Sequence, residues 1–274
     1  MIDRCDRIEL PEGVELHGNE IVDHVRDATV QLNETAARLV TDLQRMSIAD
    51  VAIDLASESR VSIEVAEADA RRLCAELNSR LLANIRRGGN PSSFALRWVS
   101  LALRLLPLRS LPSLPARRYP PLRGGVPTRA LIVIRTLAVR SLVMGCVSGV
   151  ALALLLVGSG LAAIALPFAL LTATAFAIAA PVHELAHVLA LRRAPCFLVA
   201  RGLRMAVVHN AGRSALVAAA GPASGIALAL PALALTLIRP EAAFLSVVFA
   251  GQLLGLTVFG KDGRNACGLT SIRS

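Results

Sequence analysis

The chain is poor in aromatic residues and in cysteines, and neither group forms a recognisable binding or redox motif. Aromatic residues make up 3% of the 274 positions, so the basic excess (net charge +9) is not interleaved with the aromatic side chains of a nucleic-acid-binding surface. The five cysteines form no CxxC pair and no disulfide-like spacing, which favours a reducing compartment. The first residues are acidic and mixed, so we expect no cleaved signal peptide.

Acidic residues are almost absent from the second part of the chain. Residues 91–274 contain 3 acidic and 18 basic residues, whereas residues 1–90 contain 17 acidic and 11 basic residues. Hydrophobic residues make up 54% of the chain and the mean hydropathy is +0.59, both above the range of soluble domains. We therefore expect an α-helical integral membrane protein with a small N-terminal α+β domain of the winged-helix type. The basic residues are interpreted as charges that set membrane topology.

Residues 1–88 are predicted to form the N-terminal domain. Residues 15–23 and 28–32 are predicted strands, with a hairpin turn at Gly18-Asn19. Three helices are expected to follow the strands, and each has a polar residue at its start. The predicted N-caps are Asn33 for a helix over 34–45, Ser47 with Asp50 as a capping box, and Ser62. Leucines that recur every four residues predict the buried stripe of the third helix: Leu73, Leu77 and Leu81.

Residues 89–128 are rich in proline and arginine and are predicted to be a linker. Within this linker, residues 94–106 are amphipathic: Arg97 and Arg104 share one helical face, and Trp98 suits a membrane interface. We expect an interfacial helix there, because the two arginines and Pro107 disfavour a short membrane span.

The membrane domain is predicted to span residues 129–274 and to contain four membrane-spanning helices. Apolar runs over 137–157, 161–191, 214–238 and 242–260 each reach roughly the ~20 residues that a bilayer core requires. Basic residues cluster before the first run, between the second and third, and after the fourth, whereas the opposite side has only Arg239. The positive-inside rule then predicts a multi-pass protein of the cell membrane with both termini in the cytoplasm.

A metal-binding motif, His183-Glu184-Leu185-Ala186-His187, interrupts the second apolar run. Between residues 141 and 191, Glu184 is the only acidic or basic residue apart from the histidines, and ionisable residues at membrane depth are costly and mark functional sites. Positions i and i+4 of a helix share a face, so His183 and His187 can bind one metal ion. Glu184 can then act as the general base toward the attacking water.

A catalytic zinc ion usually has three protein ligands, so a third ligand is needed. Arg192 lies five residues after His187, which places the metal near the cytoplasmic face, and Asp262 closes the fourth run at that same face. Asp262 is therefore the expected third ligand, with a helix-capping role as the alternative. His209 is the rival ligand, although a loop histidine is more often a surface residue.

Three segments of the N-terminal domain carry a resemblance to a known family: residues 18–22, the stretch VQLNETAARL over 30–39, and the helix over 61–82. With these segments, residues 10–85 resemble the PqqD-like peptide-recognition domains. The resemblance implies that a leader peptide binds as an added strand at a sheet edge. A winged-helix DNA-binding domain and a plain structural domain are the alternatives, but the excess of acidic residues disfavours contacts with phosphates.

Three further segments carry a second resemblance: PVHELAH over 181–187, Ala220-Gly221-Pro222 and Asp262-Gly263. With them, residues 165–268 resemble the site-2 protease family of intramembrane zinc metalloproteases (peptidase family M50). The resemblance implies that His183, His187 and Asp262 bind zinc and that Glu184 is the general base.

Two features depart from the site-2 protease pattern. The chain lacks the Asn-x-x-Pro sequence before Asp262, and Gly225 stands where that family has an asparagine after Gly-Pro. The family's asparagines are expected to hold the substrate backbone or the oxyanion. Asn265 and Asn210 are considered as replacements for substrate or oxyanion support.

These features together predict an intramembrane zinc metalloendopeptidase that cleaves a ribosomally synthesised precursor peptide captured by its PqqD-like domain. The expected partners are the precursor or leader peptide and the lipid bilayer, with no nucleic acid. Two alternatives remain open: a regulatory site-2-type protease that cuts a membrane-anchored regulator, and a non-catalytic membrane scaffold that binds leader peptides. The missing asparagines favour the scaffold, whereas the intact HExxH motif with Asp262 favours a protease.

Overall fold

The computed structural model describes residues 2–88, 115–201, 204–209 and 215–251, and it is mostly helical with a small β-sheet region near the N-terminus. The chain forms two compact units. The N-terminal unit comprises Met1–Pro121 with Val199–Gly202, and the second unit comprises Leu122–Leu198 with Leu203–Ser274. The HExxH motif at residues 183–187 belongs to the second unit.

The N-terminal unit contains two small antiparallel sheets. β1 (Arg7–Glu9) pairs with β5 (Asn84–Arg86), and β2 (Val14–His17), β3 (Glu20–Asp23) and β4 (Ala28–Gln31) form a sheet in that order. Gly18 has φ +58° in the β2–β3 turn, a conformation that costs glycine little. The predicted hairpin is thus confirmed. β1 and β5, with three residues each, are too short to leave a periodic pattern in the sequence.

The three predicted helices of this unit are confirmed, as α1 (Glu34–Arg45), α2 (Ile48–Ser59) and α3 (Ile63–Ser79). Each helix begins directly after the N-cap residue that was predicted for it. The Asn33 side chain accepts a hydrogen bond from Ala36 N, and Ser47 and Asp50 form the predicted capping box. The helices cover one hydrophobic core whose fully buried members include Ile21, Val40 and Leu43.

The buried stripe of α3 differs from the predicted leucine stripe. Leu77 is buried, but Leu81 lies beyond the end of the helix with φ +62°. The residues that α3 buries are mostly small: Ala66, Ala70, Cys74, Leu77 and Asn78. Small side chains allow close approach of α3 to its neighbours, a feature that a search for large apolar residues overlooks.

A strand within the predicted linker belongs to the N-terminal unit. β6 (Ala116–Pro121) is held by the side-chain amides of two asparagines, each of which bonds both the N–H and the carbonyl of one β6 residue. Asn78 bonds the backbone of Ala116 at 2.7 and 2.8 Å, and Asn84 bonds that of Arg118 at 2.7 and 2.9 Å. The strand was not predicted, because the sequence around it is proline-rich and its partners lie more than thirty residues away.

The second unit contains three helices long and apolar enough to cross a membrane: α4 (Val126–Gly158), α5 (Ala162–Leu191) and α6 (Ala215–Leu235). Many of their large apolar side chains are exposed, including Leu154 at 69% and Leu166 at 68%. An apolar surface of this extent indicates contact with lipid rather than with water. The first three predicted spans thus coincide with helices.

The fourth predicted span, residues 242–260, begins as helix α7 (Ala242–Ala250), and the rest of it lies outside the described residues. The interfacial helix expected over 94–106 lies outside them as well. Two strands, β7 (Cys196–Arg201) and β8 (Arg204–His209), follow α5, and the sheet order is β6-β7-β8.

Helices α4 and α5 run antiparallel and are in close contact through glycine. A Cβ added to Gly149 would lie 2.5 Å from the carbonyl oxygen of Ala169, and one added to Gly145 would overlap that of Ala173. Arg129, near the start of α4, is buried, and its guanidinium donates to the carbonyls of Arg192 and Ala194 at 3.1 and 3.0 Å. These bonds satisfy carbonyls that the end of α5 leaves without helical partners.

Candidate metal centre

The two histidines of the HExxH motif lie side by side on the last turns of α5. Nε2 of His183 and Nε2 of His187 are 3.3 Å apart, and His187 is buried. The helix places them there because the four-residue spacing returns the chain to the same face. The histidine pair predicted from the sequence is therefore brought together in the structure.

The hydrogen bond of His187 determines which of its nitrogens can bind a metal. Nδ1 of His187 lies 2.7 Å from the carbonyl oxygen of Val217 on α6. A carbonyl oxygen only accepts, so Nδ1 carries the hydrogen and Nε2 presents a lone pair toward His183. A backbone acceptor of this kind is the usual outer partner of a metal-binding histidine, because it fixes both the tautomer and the ring orientation.

The backbone of α6 passes directly over the two imidazoles at Gly221. A Cβ added there would lie 2.6 Å from Nε2 of His183 and even closer to Nε2 of His187. No side chain larger than hydrogen fits in this space without moving a histidine. Gly221 therefore allows the backbone of α6 to approach both imidazoles closely.

The spacing of the two nitrogens fits a zinc ion. Two nitrogens bound at roughly 2.0–2.1 Å to one tetrahedral zinc lie about 3.3 Å apart. The Nε2–Nε2 distance in the structure is 3.3 Å. The Nε2 lone pair of His187 points toward Nε2 of His183, so a cation shared by the two nitrogens would be favourable, and Gly221 carries no methyl group that would overlap them.

Glu184 is buried beside the histidine pair and bonded to strand β8. Its Oε2 accepts a hydrogen bond of 2.7 Å from the backbone N–H of Val207. A cavity of about 440 Å³ opens next to it and is lined by His183, Glu184 and Met205 together with residues of α4, α5 and α7. The motif therefore adjoins a cavity of a size typical of small-ligand sites.

Of the other predicted site residues, only His209 lies within the part of the chain that the structure describes. Asp262, Asn265 and Asn210 lie outside the described residues, so the third ligand and the substrate-supporting asparagines remain predictions. His209 ends β8, and burial lowers its pKa, which favours the neutral imidazole that metals bind.

One group of three potential metal ligands is found within the described ranges, and it lies elsewhere. Glu15, His17 and His24 are exposed on the N-terminal unit, with Oε2 of Glu15 lying 2.9 Å from Nε2 of His17 and 3.6 Å from Nε2 of His24. His209 does not belong to this group. The exposed group complicates any measurement of metal content and requires its own control.

Three features of the site were not predicted from the sequence. They are the cavity-lining pair Arg140 and Ser141 on α4, the Val207 N–H that bonds Glu184, and the steric role of Gly221. Arg140 was grouped with the basic residues that mark the cytoplasmic end of the first span, although it lies inside the apolar run over 137–157. Its position inside a long apolar helix was the signal that it faces a cavity.

Comparison with family models, with curated proteins and with solved structures found no match for this chain.

Proposed function

We propose that the protein is an intramembrane zinc metalloendopeptidase of the site-2 protease type. The observation that carries the proposal is the pair of Nε2 atoms 3.3 Å apart, next to a buried glutamate, on a helix apolar enough to span a membrane. A buried glutamate and two histidines are costly at such a position unless they have a function.

His183 and His187 would hold the zinc ion, with Asp262 as third ligand and His209 as the alternative. When bound, zinc supplies a Lewis acid that polarises a peptide carbonyl and lowers the pKa of water. Glu184 takes the proton of the attacking water while the water oxygen bonds to the carbonyl carbon. The C–N bond then breaks, and Glu184 gives the proton to the leaving amine.

Strand β8 is the element best placed to hold the substrate backbone. It ends the described sheet order β6-β7-β8, and the N–H of Val207 already bonds Glu184. A peptide added beside β8 would lie next to the catalytic glutamate. A helical substrate has to unwind first, since its own hydrogen bonds shield the backbone.

The N-terminal domain would deliver the substrate. In its three-stranded sheet β2 and β4 are the outer strands, and the residues of β4 are mostly exposed, so a leader peptide would add beside β4. Capture of the leader raises the concentration of the precursor at the site, so a modest affinity is sufficient. The substrate would be a ribosomally synthesised precursor peptide, and both termini of the protein would face the cytoplasm.

The proposal is tested with the full-length protein purified in detergent, loaded with zinc and mixed with a peptide library prepared from a total cell proteome. New peptide termini are identified by mass spectrometry. We expect termini that the wild type generates and Glu184→Gln does not. Zinc-loaded wild type that generates no new termini would contradict the protease and favour the leader-binding scaffold.

A further inference from the structure

The outer face of the β2–β3 hairpin carries two histidines and a glutamate. Along β2, Val14 is buried whereas Glu15 and His17 are exposed, because alternate side chains of a strand point to opposite faces. The backbone N–H of His24 donates to the carbonyl oxygen of Gly13 at 2.9 Å, so the pairing of the two strands continues one step beyond β3. The side chain of His24 is exposed as well, and the three side chains share one face of the hairpin.

The strand register brings these three side chains together. Glu15 lies directly opposite Val22, and His24 follows Val22 by two residues. His24 is thus the diagonal cross-strand neighbour of Glu15, and His17 is its neighbour on the same face of β2. Long side chains reach one another over both of these separations. The group arises from the register of the hairpin and not from a contiguous sequence motif.

The distances within the group fit a single metal ion. Oε2 of Glu15 lies 2.9 Å from Nε2 of His17 and 3.6 Å from Nε2 of His24, and the three ligand atoms all lie within 4.8 Å of one another. Two donors bound at roughly 2.0–2.1 Å to one tetrahedral zinc ion lie about 3.3 Å apart. Since all three side chains are more than half exposed, small side-chain rotations can complete this geometry, and the ion has a direct path from solvent.

Two imidazoles and one carboxylate form a ligand set that suits zinc. Imidazole nitrogens bind zinc, copper and nickel ions, whereas magnesium and calcium prefer oxygen ligands. Two histidines and a glutamate also serve as the three protein ligands of known zinc sites, with water in the fourth position. Charge pairing alone is a weak reason for two imidazoles to approach one carboxylate oxygen, since exposed ion pairs contribute little to stability.

We propose that Glu15, His17 and His24 bind a zinc ion that joins β2 to the residue after β3. Water fills the fourth position of the ion. Because a ligand that binds only the folded state stabilises that state, zinc then stabilises the N-terminal unit against unfolding. The site lies in the N-terminal unit and shares no residue with the HExxH motif. The inference therefore goes beyond the proposed protease and does not depend on it.

The first test titrates zinc into the metal-free full-length protein, purified in detergent without a histidine tag, and measures binding by calorimetry. The His187→Ala background disables the HExxH motif, and we expect one zinc ion per chain to bind there. Adding His17→Ala or Glu15→Gln should lower the zinc affinity at least about tenfold, because removing a ligand costs no less than removing an outer contact. Glu20→Gln is the matched control, since Glu20 lies directly opposite His17 but does not belong to the group.

The second test measures the effect of zinc on the stability of the N-terminal unit. Labelling of the buried thiol of Cys74 in increasing urea reports unfolding of this unit. Zinc should move the labelling midpoint to higher urea in the His187→Ala background, and adding His17→Ala should remove that shift. The same labelling without zinc shows whether each variant is folded.

The comparison with the wild type separates this site from the HExxH motif. His17→Ala/His24→Ala should bind one zinc ion fewer per chain than the wild type, whether or not the motif itself binds zinc. Equal zinc content in these two proteins, or zinc binding to the His187→Ala background that His17→Ala leaves unchanged, would overturn the proposal. An equal loss of affinity in Glu15→Gln and Glu20→Gln would also contradict it, because cations would then be attracted by the charge of the hairpin and not bound by Glu15.

Discussion

At the scale of single residues, the site depends on how closely α6 approaches the two histidines. His183 and His187 could be identified from their spacing alone, because the helical period brings i and i+4 together. The close contact with the two histidines is made by Gly221, which lies 34 residues further along the chain than His187. A glycine in an apolar helix gives no indication of which side chain it faces, so its role became visible only in the structure.

Gly221→Ala should therefore weaken zinc binding without unfolding the protein. The added methyl group would overlap Nε2 of both histidines, so we expect a loss of at least about tenfold in zinc affinity, as outer-contact changes at metal sites produce. Zinc competition with a chromophoric chelator measures this effect. Gly158→Ala is the matched control, because a Cβ there meets nothing within 4 Å. Equal affinities in the two variants would show that Gly221 does not shape the site.

The proposed general base can be distinguished by experiment from the proposed metal ligands. Glu184→Gln should keep its zinc, since the remaining ligands are intact, but lose cleavage by about 10²–10⁴-fold, the usual contribution of a general base. His187→Ala should lose both the zinc bound at the HExxH motif and the cleavage activity. Zinc content and the rate of appearance of new termini are measured on the same samples. Full activity in Glu184→Gln would assign the base to another residue.

The third ligand can be decided by a pair of variants. We expect Asp262→Ala to lower zinc affinity strongly and His209→Ala to leave it nearly unchanged, because a catalytic zinc retains three protein ligands. The same chelator competition measures both variants. The reverse result would assign the third position to His209.

At the scale of the elements, the helices were predictable from local signals. Asn33, Ser47 and Ser62 cap α1, α2 and α3 where the sequence places them, because capping depends on residues within one turn. The strands β1, β5 and β6 were not predicted, since their partners lie far away in sequence. β6 in particular is recognised by Asn78 and Asn84 across more than thirty residues.

The attachment of β6 predicts a specific local effect. Asn78→Ala removes three buried hydrogen bonds and leaves the N–H and carbonyl of Ala116 without these partners, at a cost of about 2–3 kcal/mol. Amide hydrogen exchange over residues 115–121 of the full-length protein should become faster. Ser79→Ala, at an exposed position on the same helix, is the control. Unchanged exchange in Asn78→Ala would mean that other contacts hold the strand.

The same unit has a buried ion pair with a pH signature. Burial raises the pKa of Asp23, but hydrogen bonds from Arg118 and Arg26 outweigh this effect and hold it below its usual value. A lowered folded-state pKa stabilises the fold above pH ~4, and that contribution is lost as the pH falls further. Asp6 affects the pH dependence of stability in the opposite direction, because burial raises its pKa despite the nearby Arg87.

In Asp23→Asn, the free energy of unfolding of the N-terminal unit should depend less on pH in the acid range. The variant should also be less stable at neutral pH by about 3–5 kcal/mol, since Arg118 would stay buried without its counterion. Pulse labelling of the buried thiol of Cys74 in increasing urea, read by mass spectrometry, reports unfolding of this unit. Asp27→Asn, an exposed neighbour, is the control. An acid dependence retained in Asp23→Asn would assign it to other carboxylates.

At the scale of the whole molecule, the distribution of charge separates two kinds of unit. The acidic residues are concentrated in the first 90 positions, and the helices of the second unit expose large apolar side chains such as Leu154. Composition was sufficient to predict this division, because a membrane permits few ionisable residues. It could not predict the cavity, which is formed by residues of four elements that are distant in sequence.

Zinc content is the measurement that tests the central claim most directly. The full-length protein is purified in detergent without a histidine tag, and His17→Ala/His24→Ala serves as the reference so that the exposed Glu15 group cannot contribute. We expect about one zinc ion per chain in this reference and none after His187→Ala is added, as a catalytic zinc site requires. A reference protein without zinc, or zinc content unaffected by His187→Ala, would contradict the account.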